Sequence, residues 1–188
     1  QERGELPIHG PFLCHSGVPK TEISLIELDD IAERLASGQV LGVCNGAAEI
    51  GPRALGHRSI LARPDSIELR RRVSETIKRR EWYRPVAPVL ALEVAAQAFG
   101  PLVTSSRLAT FMLGAYRLLP EWQQHFAGVI HADGSLRPQV VPGQDLDHAF
   151  LHALLMRLWH RHGIAGLINT SFNGPGDPIV QRHEEALD

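Results

Sequence analysis

Lys78-Arg79-Arg80-Glu81-Trp82-Tyr83-Arg84-Pro85-Val86-Ala87-Pro88 places four fixed cations on a backbone stiffened by two prolines. Residues of that type at that density suit an anion site. Lys20 and Lys78 are the only lysines among nineteen basic residues, so Lys78 is not drawn from a lysine-rich surface. From Arg53 to Arg84, ten basic residues stand against four acidic ones, a local charge of +6 in a chain whose total is −2. A basic segment inside an acidic remainder argues for a particular anionic ligand over a general attraction to polyanions.

Three other stretches carry polar chemistry. Between Asn45 and Leu61, Gly46, Gly51 and Gly56 let backbone approach a ligand, Pro52 fixes one φ, and Arg53 and Arg58 add charge beside exposed N–H groups. Solvated arginines on a glycine-rich loop would have the same spacing, and spacing leaves both readings open. Arg137 and Gln139, two apart beyond the Asp133-Gly134 turn signal, share one face of a strand, for which a solvent-facing side is the plainer reading. Asn169-Thr170-Ser171-Phe172-Asn173 follows an apolar run, and polar groups just past a strand end are where open α/β sheets hold ligands. His148 and His152 stand four apart without a third ligand or an intervening Glu, so they read as helix-surface residues. Arg70, Arg71 and Arg72 read as the solvated face of a helix.

The elements that must position these groups alternate between helix and strand. Asp29 to Ser37 is a short amphipathic helix stopped by Gly38, and Val40 to Cys44 a buried strand. Asp65 caps a helix running to about Ile77, with Leu69, Val73 and Ile77 four apart. Val86 to Ala91 is a strand that Pro88 confines to an edge or entry. Glu93 to Phe99 is helical, Leu108 to Leu113 a strand, and Val129 to Val141 a hairpin. Asp145 to His162 has the longest helical register, with Leu146, Phe150, Leu154 and Leu158 facing the core, and Ile164 to Ile168 is a second buried strand. The order predicts an α/β domain with a twisted mixed sheet flanked by helices. Residues 1–24, rich in Gly and Pro, form an extended lead-in or linker, and residues 25–188 the domain.

Composition excludes several classes. No apolar run approaches the length that crosses a bilayer, and the N-terminus lacks the basic-then-apolar order of a secretory signal. Cys14 and Cys44 form no CxxC, which favours a reduced compartment and argues against structural zinc. The expected location is cytoplasmic.

Taken together, Glu49-Ile50-Gly51-Pro52-Arg53-Ala54-Leu55-Gly56-His57-Arg58-Ser59, the Lys78-to-Pro88 run, His131-Ala132-Asp133-Gly134-Ser135-Leu136-Arg137-Pro138-Gln139 and Asn169-Thr170-Ser171-Phe172-Asn173 resemble one family. It is the C-terminal domain of the O-carbamoyltransferases of nodulation-factor and antibiotic biosynthesis, matched from about Gly10 onward. This sequence departs from the family's usual residues at His57, Ser74, Ser135, Val140 and Asp177. The domain is similar in fold to YrdC-like enzymes, whose KxR and SxN signatures match Lys78/Arg80 and Ser171/Asn173.

The resemblance implies formation of carbamoyl-adenylate from carbamoyl phosphate and ATP with Mg²⁺. A separate N-terminal metal-binding domain, which these residues do not include, passes the carbamoyl group to a hydroxyl. It further implies catalytic roles for Lys78, Arg80, Ser171 and Asn173, and phosphate or ATP binding by Arg53, Arg58, Arg84, His131, Arg137, Asn169 and Thr170. No metal site is assigned; Glu49 and Asp133 are the candidate Mg²⁺ carboxylates. The chemistry suits these types: arginine forks grip phosphate, while lysine follows a moving oxygen as a point charge. The alternative is an RNA- or nucleotide-binding YrdC-like module without catalysis. RNA is disfavoured because only Trp82 and Tyr83 stand as aromatics among the cations.

Overall fold

The computed structural model describes residues 25–51, 53–182 and 184–186, so the expected lead-in and Cys14 lie outside the described residues. Helix α1 (Leu25–Ala36) buries Leu28, Ala32 and Leu35 along one face and ends at Gly38, whose φ of 89° suits a residue without Cβ. The chain continues through β1 (Leu41–Cys44), β2 (Arg58–Ala62), α2 (Ile67–Arg71), a π-helical turn (Arg72–Ile77), β3 (Ala87–Ala91) and α3 (Leu92–Phe99). Short helices α4 (Pro101–Thr104) and α5 (Arg107–Thr110) lead to β4 (Tyr116–Arg117), a 3-10 helix (Pro120–Phe126), β5 (Ser135–Leu136) and β6 (Gln139–Val141). After a 3-10 turn (Leu146–His148), α6 (Ala149–His162) and β7 (Leu167–Ser171) complete the core elements.

Five strands form one mixed sheet in the order β1-β2-β7-β3-β6, the architecture the alternating pattern anticipates. All neighbours are antiparallel except β3 and β6. Strand β7 lies at the centre, paired with β2 through Ile168–Ser171 and with β3 through Leu167–Asn169. Helices α3 and α6 pack on β3, and α1 packs on α6, where Asp29 receives both Arg157 and Arg161 at 2.9 and 3.2 Å. One apolar core runs through these elements, and a small cluster of Leu55, Ala87 and Met112 lies apart from it.

Several sequence expectations are corrected. Val40 to Cys44 is not buried: β1 is an edge strand and half-exposed. Leu108 to Leu113 is no strand, because the buried residues are Ala109 and Met112, three apart, while Leu108 and Leu113 face solvent. The Val129–Val141 hairpin does not form. Its Asp133-Gly134 turn is present, with His131 N donating to Ser135 O, but Pro138 breaks the run, so β5 pairs with β4 and β6 with β3. The second core strand begins at Leu167 instead of Ile164, which brings Asn169, Thr170 and Ser171 inside it.

Further shifts have local causes. Ser66, not Asp65, caps α2, accepting from Leu69 N, while Asp65 binds the Arg63 guanidinium at 2.6 Å. Regular helix begins at Ala149, and Leu146 is exposed in the turn before it. Strand β3 is interior, yet β6 pairs only with Val89–Ala91, so Pro88 lies outside that ladder and owes it no N–H.

Backbone closeness at the sheet centre is set by Gly166, where an added Cβ would lie 2.6 Å from Val89 O and 3.2 Å from Leu90 and Phe126. Gly166→Ala is expected to destabilise the fold by about 1–3 kcal/mol through overpacking, read as a lower denaturant midpoint at unchanged slope.

Candidate active site

The C-terminal end of β7 meets the end of the π-helical turn. Lys78 closes that turn, its N–H donating to Val73 O, and Arg80 N donates to Ser74 O one residue pair further on. Arg79 between them has φ 47°, a left-handed conformation that side-chain-bearing residues adopt at a cost. This sharp reversal lets Lys78 and Arg80 serve different faces of the same corner. Lys78 is buried, and its ammonium donates to Ser171 O (2.9 Å), Ser171 Oγ (3.3 Å), Asn173 O (2.8 Å) and Asn173 Oδ1. The pairs Lys78/Arg80 and Ser171/Asn173, ninety residues apart in sequence, thus meet in space.

Arg80 and Ser171 also line a cavity of about 60 Å³ with Arg53, Arg137, Asn169 and Thr170. Ala87 and Met112 supply part of its apolar wall. Met112 has φ 54°, so both described non-glycine residues with left-handed backbone border this corner. A second chamber of about 550 Å³, reaching Ile77, Phe172, Asn173 and Asp177, lies beside it.

The electrostatics are those of an anion site. Among the described residues, none of Arg53, Arg80 and Arg137 has a carboxylate partner within ion-pair distance. Burial, then the neighbouring Arg84 charge, lowers the pKa of Arg80; burial, then Arg53 and Arg80, lowers that of Arg137. Arg137 Nε is buried without a hydrogen-bond partner. Burial, then Arg80, pushes the Lys78 ammonium down to about 8, against the opposing pull of Asp177. Uncompensated buried cations cost stability, and an anion among them relieves that cost.

Other expected site residues sit elsewhere. Arg58 is not available to phosphate: it is fully buried, donating to the carbonyls of Asn45, His57, Gly46 and Gln181 at 3.0–3.2 Å. It cross-links the glycine-rich loop to the C-terminal segment. Arg84 faces solvent and pairs with Glu81 at 2.8 Å. His131 Nδ1 lies 3.1 Å from Ser135 Oγ, whose own proton goes to Asp133 Oδ1, so Nδ1 is the donor and carries the proton. Burial lowers its pKa further, and the neutral ring offers no charge to a phosphate. Of the two carboxylates considered for a metal, one oxygen of each is engaged, while Glu49 Oε2 is buried without a hydrogen-bond partner. Glu49 Oε1 accepts from Leu55 N, His57 N and Arg58 N, and Asp133 accepts from Ser135 N and Oγ. No group of three or more His, Cys, Asp or Glu suited to a metal occurs among the described residues, and no carboxylate lines the small cavity.

Some functional support was not read from the sequence. Gln139 is fully buried and not solvent-facing; it donates to Leu55 O at 2.6 Å and accepts from Asn169 Nδ2 at 2.7 Å. His148 is likewise buried, not on the surface, and bridges Asp145 Oδ2 to Leu55 O. Both brace the loop that carries Arg53. Arg70 is only partly solvated, donating to Trp82 O at 2.8 Å and so restraining the loop after Arg80, whereas Arg71 and Arg72 are exposed. The signal for these was a polar residue inside an apolar pattern, which spacing alone could not tell from an exposed one.

The depressed Lys78 pKa has a consequence for stability. Between pH 8 and 10.5 the unfolded chain holds more protons at this lysine than the folded one, so folded-state stability from this group rises as pH rises through that window. Urea titrations of wild type and Lys78→Met at pH 7.5, 9 and 10.5 should show the wild type gaining relative to the variant; a constant difference would contradict the buried, charged lysine.

Comparison with known proteins bears on the family and the fold. The family model described as "Carbamoyltransferase C-terminus" matches residues 32–188. The chain is 37% identical over 169 residues to nodulation protein NolO of Bradyrhizobium diazoefficiens, covering 85% of this chain and 29% of that protein. It is 38% identical over 157 residues to 3'-hydroxymethylcephem-O-carbamoyltransferase of Streptomyces clavuligerus, covering 84% of this chain and 28% of the enzyme. The chain therefore spans less than a third of the length of either relative. Among solved structures, full-length HypF in its phosphate- and nucleotide-bound form aligns with a TM-score of 0.57 at 14% identity, over 89% of this chain and 20% of HypF. That likeness concerns the fold. The chain belongs to the carbamoyltransferase C-terminus family.

Proposed function

We propose that this domain forms carbamoyl-adenylate from carbamoyl phosphate and ATP, the activation half of an O-carbamoyl transfer. The observation that supports it most is the convergence of Arg53, Arg80 and Arg137 on one small cavity without carboxylate partners, beside a buried ammonium. Carbamoyl phosphate and water give carbamate and orthophosphate; a carbamate oxygen then bonds to the α-phosphorus of ATP and pyrophosphate leaves. Both steps gather negative charge, and fixed cations offset it without reorganising. In this reading the arginines clamp phosphate oxygens, Lys78 meets the oxygens that change partners, and Ser171 and Asn173 orient that ammonium. With no carboxylate on the cavity wall, Mg²⁺ would be carried by phosphate oxygens and water.

Transfer to a hydroxyl acceptor falls to a further domain, the metal-binding N-terminal partner that the family resemblance implies. An RNA-binding reading draws on Trp82 and Tyr83, 73% and 65% exposed beside Arg79 and Arg84. RNA affinity equal to ATP affinity at two salt concentrations would favour it.

The test is to incubate the chain with labelled carbamoyl phosphate, ATP and Mg²⁺ and follow pyrophosphate and AMP. Release is expected to require carbamoyl phosphate, and no added alcohol becomes carbamoylated; release indifferent to carbamoyl phosphate overturns the assignment. Lys78→Ala should lower the rate by about two to three decades, the loss of a transition-state charge contact, while Arg71→Ala on the exposed helix face changes it little. The rate should also fall on the alkaline side of pH 8, where the Lys78 ammonium gives up its proton.

A further inference from the structure

We propose that His148 is a positioning residue for Arg53, held as an imidazolium under the glycine-rich loop, so that one proton on a buried ring sets how firmly the domain grips an anion; this rests on the reading of Arg53 as a phosphate ligand. The ring is buried and both of its nitrogens face acceptors, Nδ1 at 2.7 Å from Asp145 Oδ2 and Nε2 at 3.0 Å from Leu55 O. A neutral imidazole donates from one nitrogen and carries a lone pair on the other. Either neutral tautomer would set that lone pair against an oxygen, and only the doubly protonated ring satisfies both contacts.

Two histidines cross the same join. His148, on the turn before α6, reaches the loop at Leu55 O, while His57, on the loop, reaches the turn, its Nε2 2.9 Å from Asp147 O. Their rings meet edge-to-face at 5.7 Å, where two charges would repel. Burial lowers the pKa of His57 against the pull of Glu49, which leaves the pair's charge on His148, where a carboxylate receives it. That carboxylate is held in place, because Asp145 Oδ1 accepts from Asp147 N at 3.0 Å. The titratable groups facing the ring are thus Asp145 from its own turn and His57 from the loop, with Glu49 beyond His57. From α6 the loop meets Leu151, and from β6 it meets the uncharged Gln139.

The path from the ring to Arg53 is short. Leu55 stands two residues beyond Arg53, and its peptide is held at both ends: its N–H donates to Glu49 Oε1 at 2.7 Å, and its carbonyl accepts from Gln139 Nε2 at 2.6 Å as well as from His148. Gly56 lets this stretch lie directly against the turn, since an added Cβ there would lie 2.5 Å from Leu151 and 3.7 Å from the His148 ring. Loss of the ring's proton removes one of its two bonds and leaves a buried lone pair against an acceptor, which pushes turn and loop apart. Glu49 and Gln139 still hold the loop, so the change falls on how Arg53 is presented and not on whether the domain folds.

Calorimetric titration with sulfate, an anion of constant charge over the range used, tests the assignment at pH 6, 7, 8 and 9. The 188-residue chain is compared with His148→Gln, which keeps a donor and cannot titrate. At pH 6 the variant should bind sulfate about tenfold more weakly, and the difference should vanish by pH 9 as the wild type gives up its proton. Lys78 is common to both chains and cancels in the ratio. In an Arg53→Gln background, His148→Gln should add no further loss. A ratio that stays constant with pH, or an undiminished loss in the Arg53→Gln background, would overturn the role. Nitrogen-15 NMR of the wild type supplies a check that does not depend on the variant folding: both ring nitrogens of His148 should carry protons at pH 6, and a single protonated nitrogen overturns the imidazolium. A wild type that shows that imidazolium but binds no sulfate at any pH would instead overturn the reading of Arg53 as an anion ligand, and this role with it.

Discussion

A buried ammonium has to be surrounded by oxygens, and the corner of this domain is built to that requirement. Lys78 loses water and recovers four acceptors from two residues at the end of the central strand. Because all four are backbone or side-chain oxygens of Ser171, at the end of the strand, and Asn173, just past it, the lysine is aimed by the fold as a whole and not by its own rotamer preference. The π-helical turn before it and the left-handed Arg79 after it are the local distortions that bring the ammonium there.

The arginines divide by what surrounds them. Arg58 is as buried as a side chain can be, yet it is structural, because backbone carbonyls already saturate most of its fork. Arg53, Arg80 and Arg137 are less buried and lack carboxylate partners among the described residues, so their charge remains available. Glu49 complements this arrangement: one oxygen collects three N–H groups of the loop that presents Arg53, leaving that loop shaped before any ligand arrives. Gln139, Asn169 and His148 extend the same logic inward, converging on the Ala54 and Leu55 carbonyls beneath the loop.

The resulting corner concentrates energetic cost in one place. Desolvation and mutual repulsion lower the pKa values of Lys78, Arg80 and Arg137 together. Perturbed groups sharing a concave corner are an arrangement common at active sites. The rest of the molecule compensates with an apolar core running continuously beneath the sheet and helices.

Amino-acid types and order alone determined the mixed α/β class, the helices near α1, α3 and α6, and the anionic preference of the Lys78–Pro88 run, because periodicity, glycine stops and charge density are local properties. The motif pairs Lys78/Arg80 and Ser171/Asn173 were legible only through the resemblance to YrdC-like enzymes, whose KxR and SxN signatures they match. Only tertiary structure decided strand neighbours: β6 joins β3 instead of folding back as a hairpin, and β3 becomes interior despite Pro88, since pairing depends on partners distant in sequence. It likewise decided which arginine is bound by carbonyls and which is free, and which histidine is buried. Arg53 and Arg58 lie five residues apart in one glycine-rich loop, and no spacing rule separates them; the direction each guanidinium faces is set by what the other strands bring alongside.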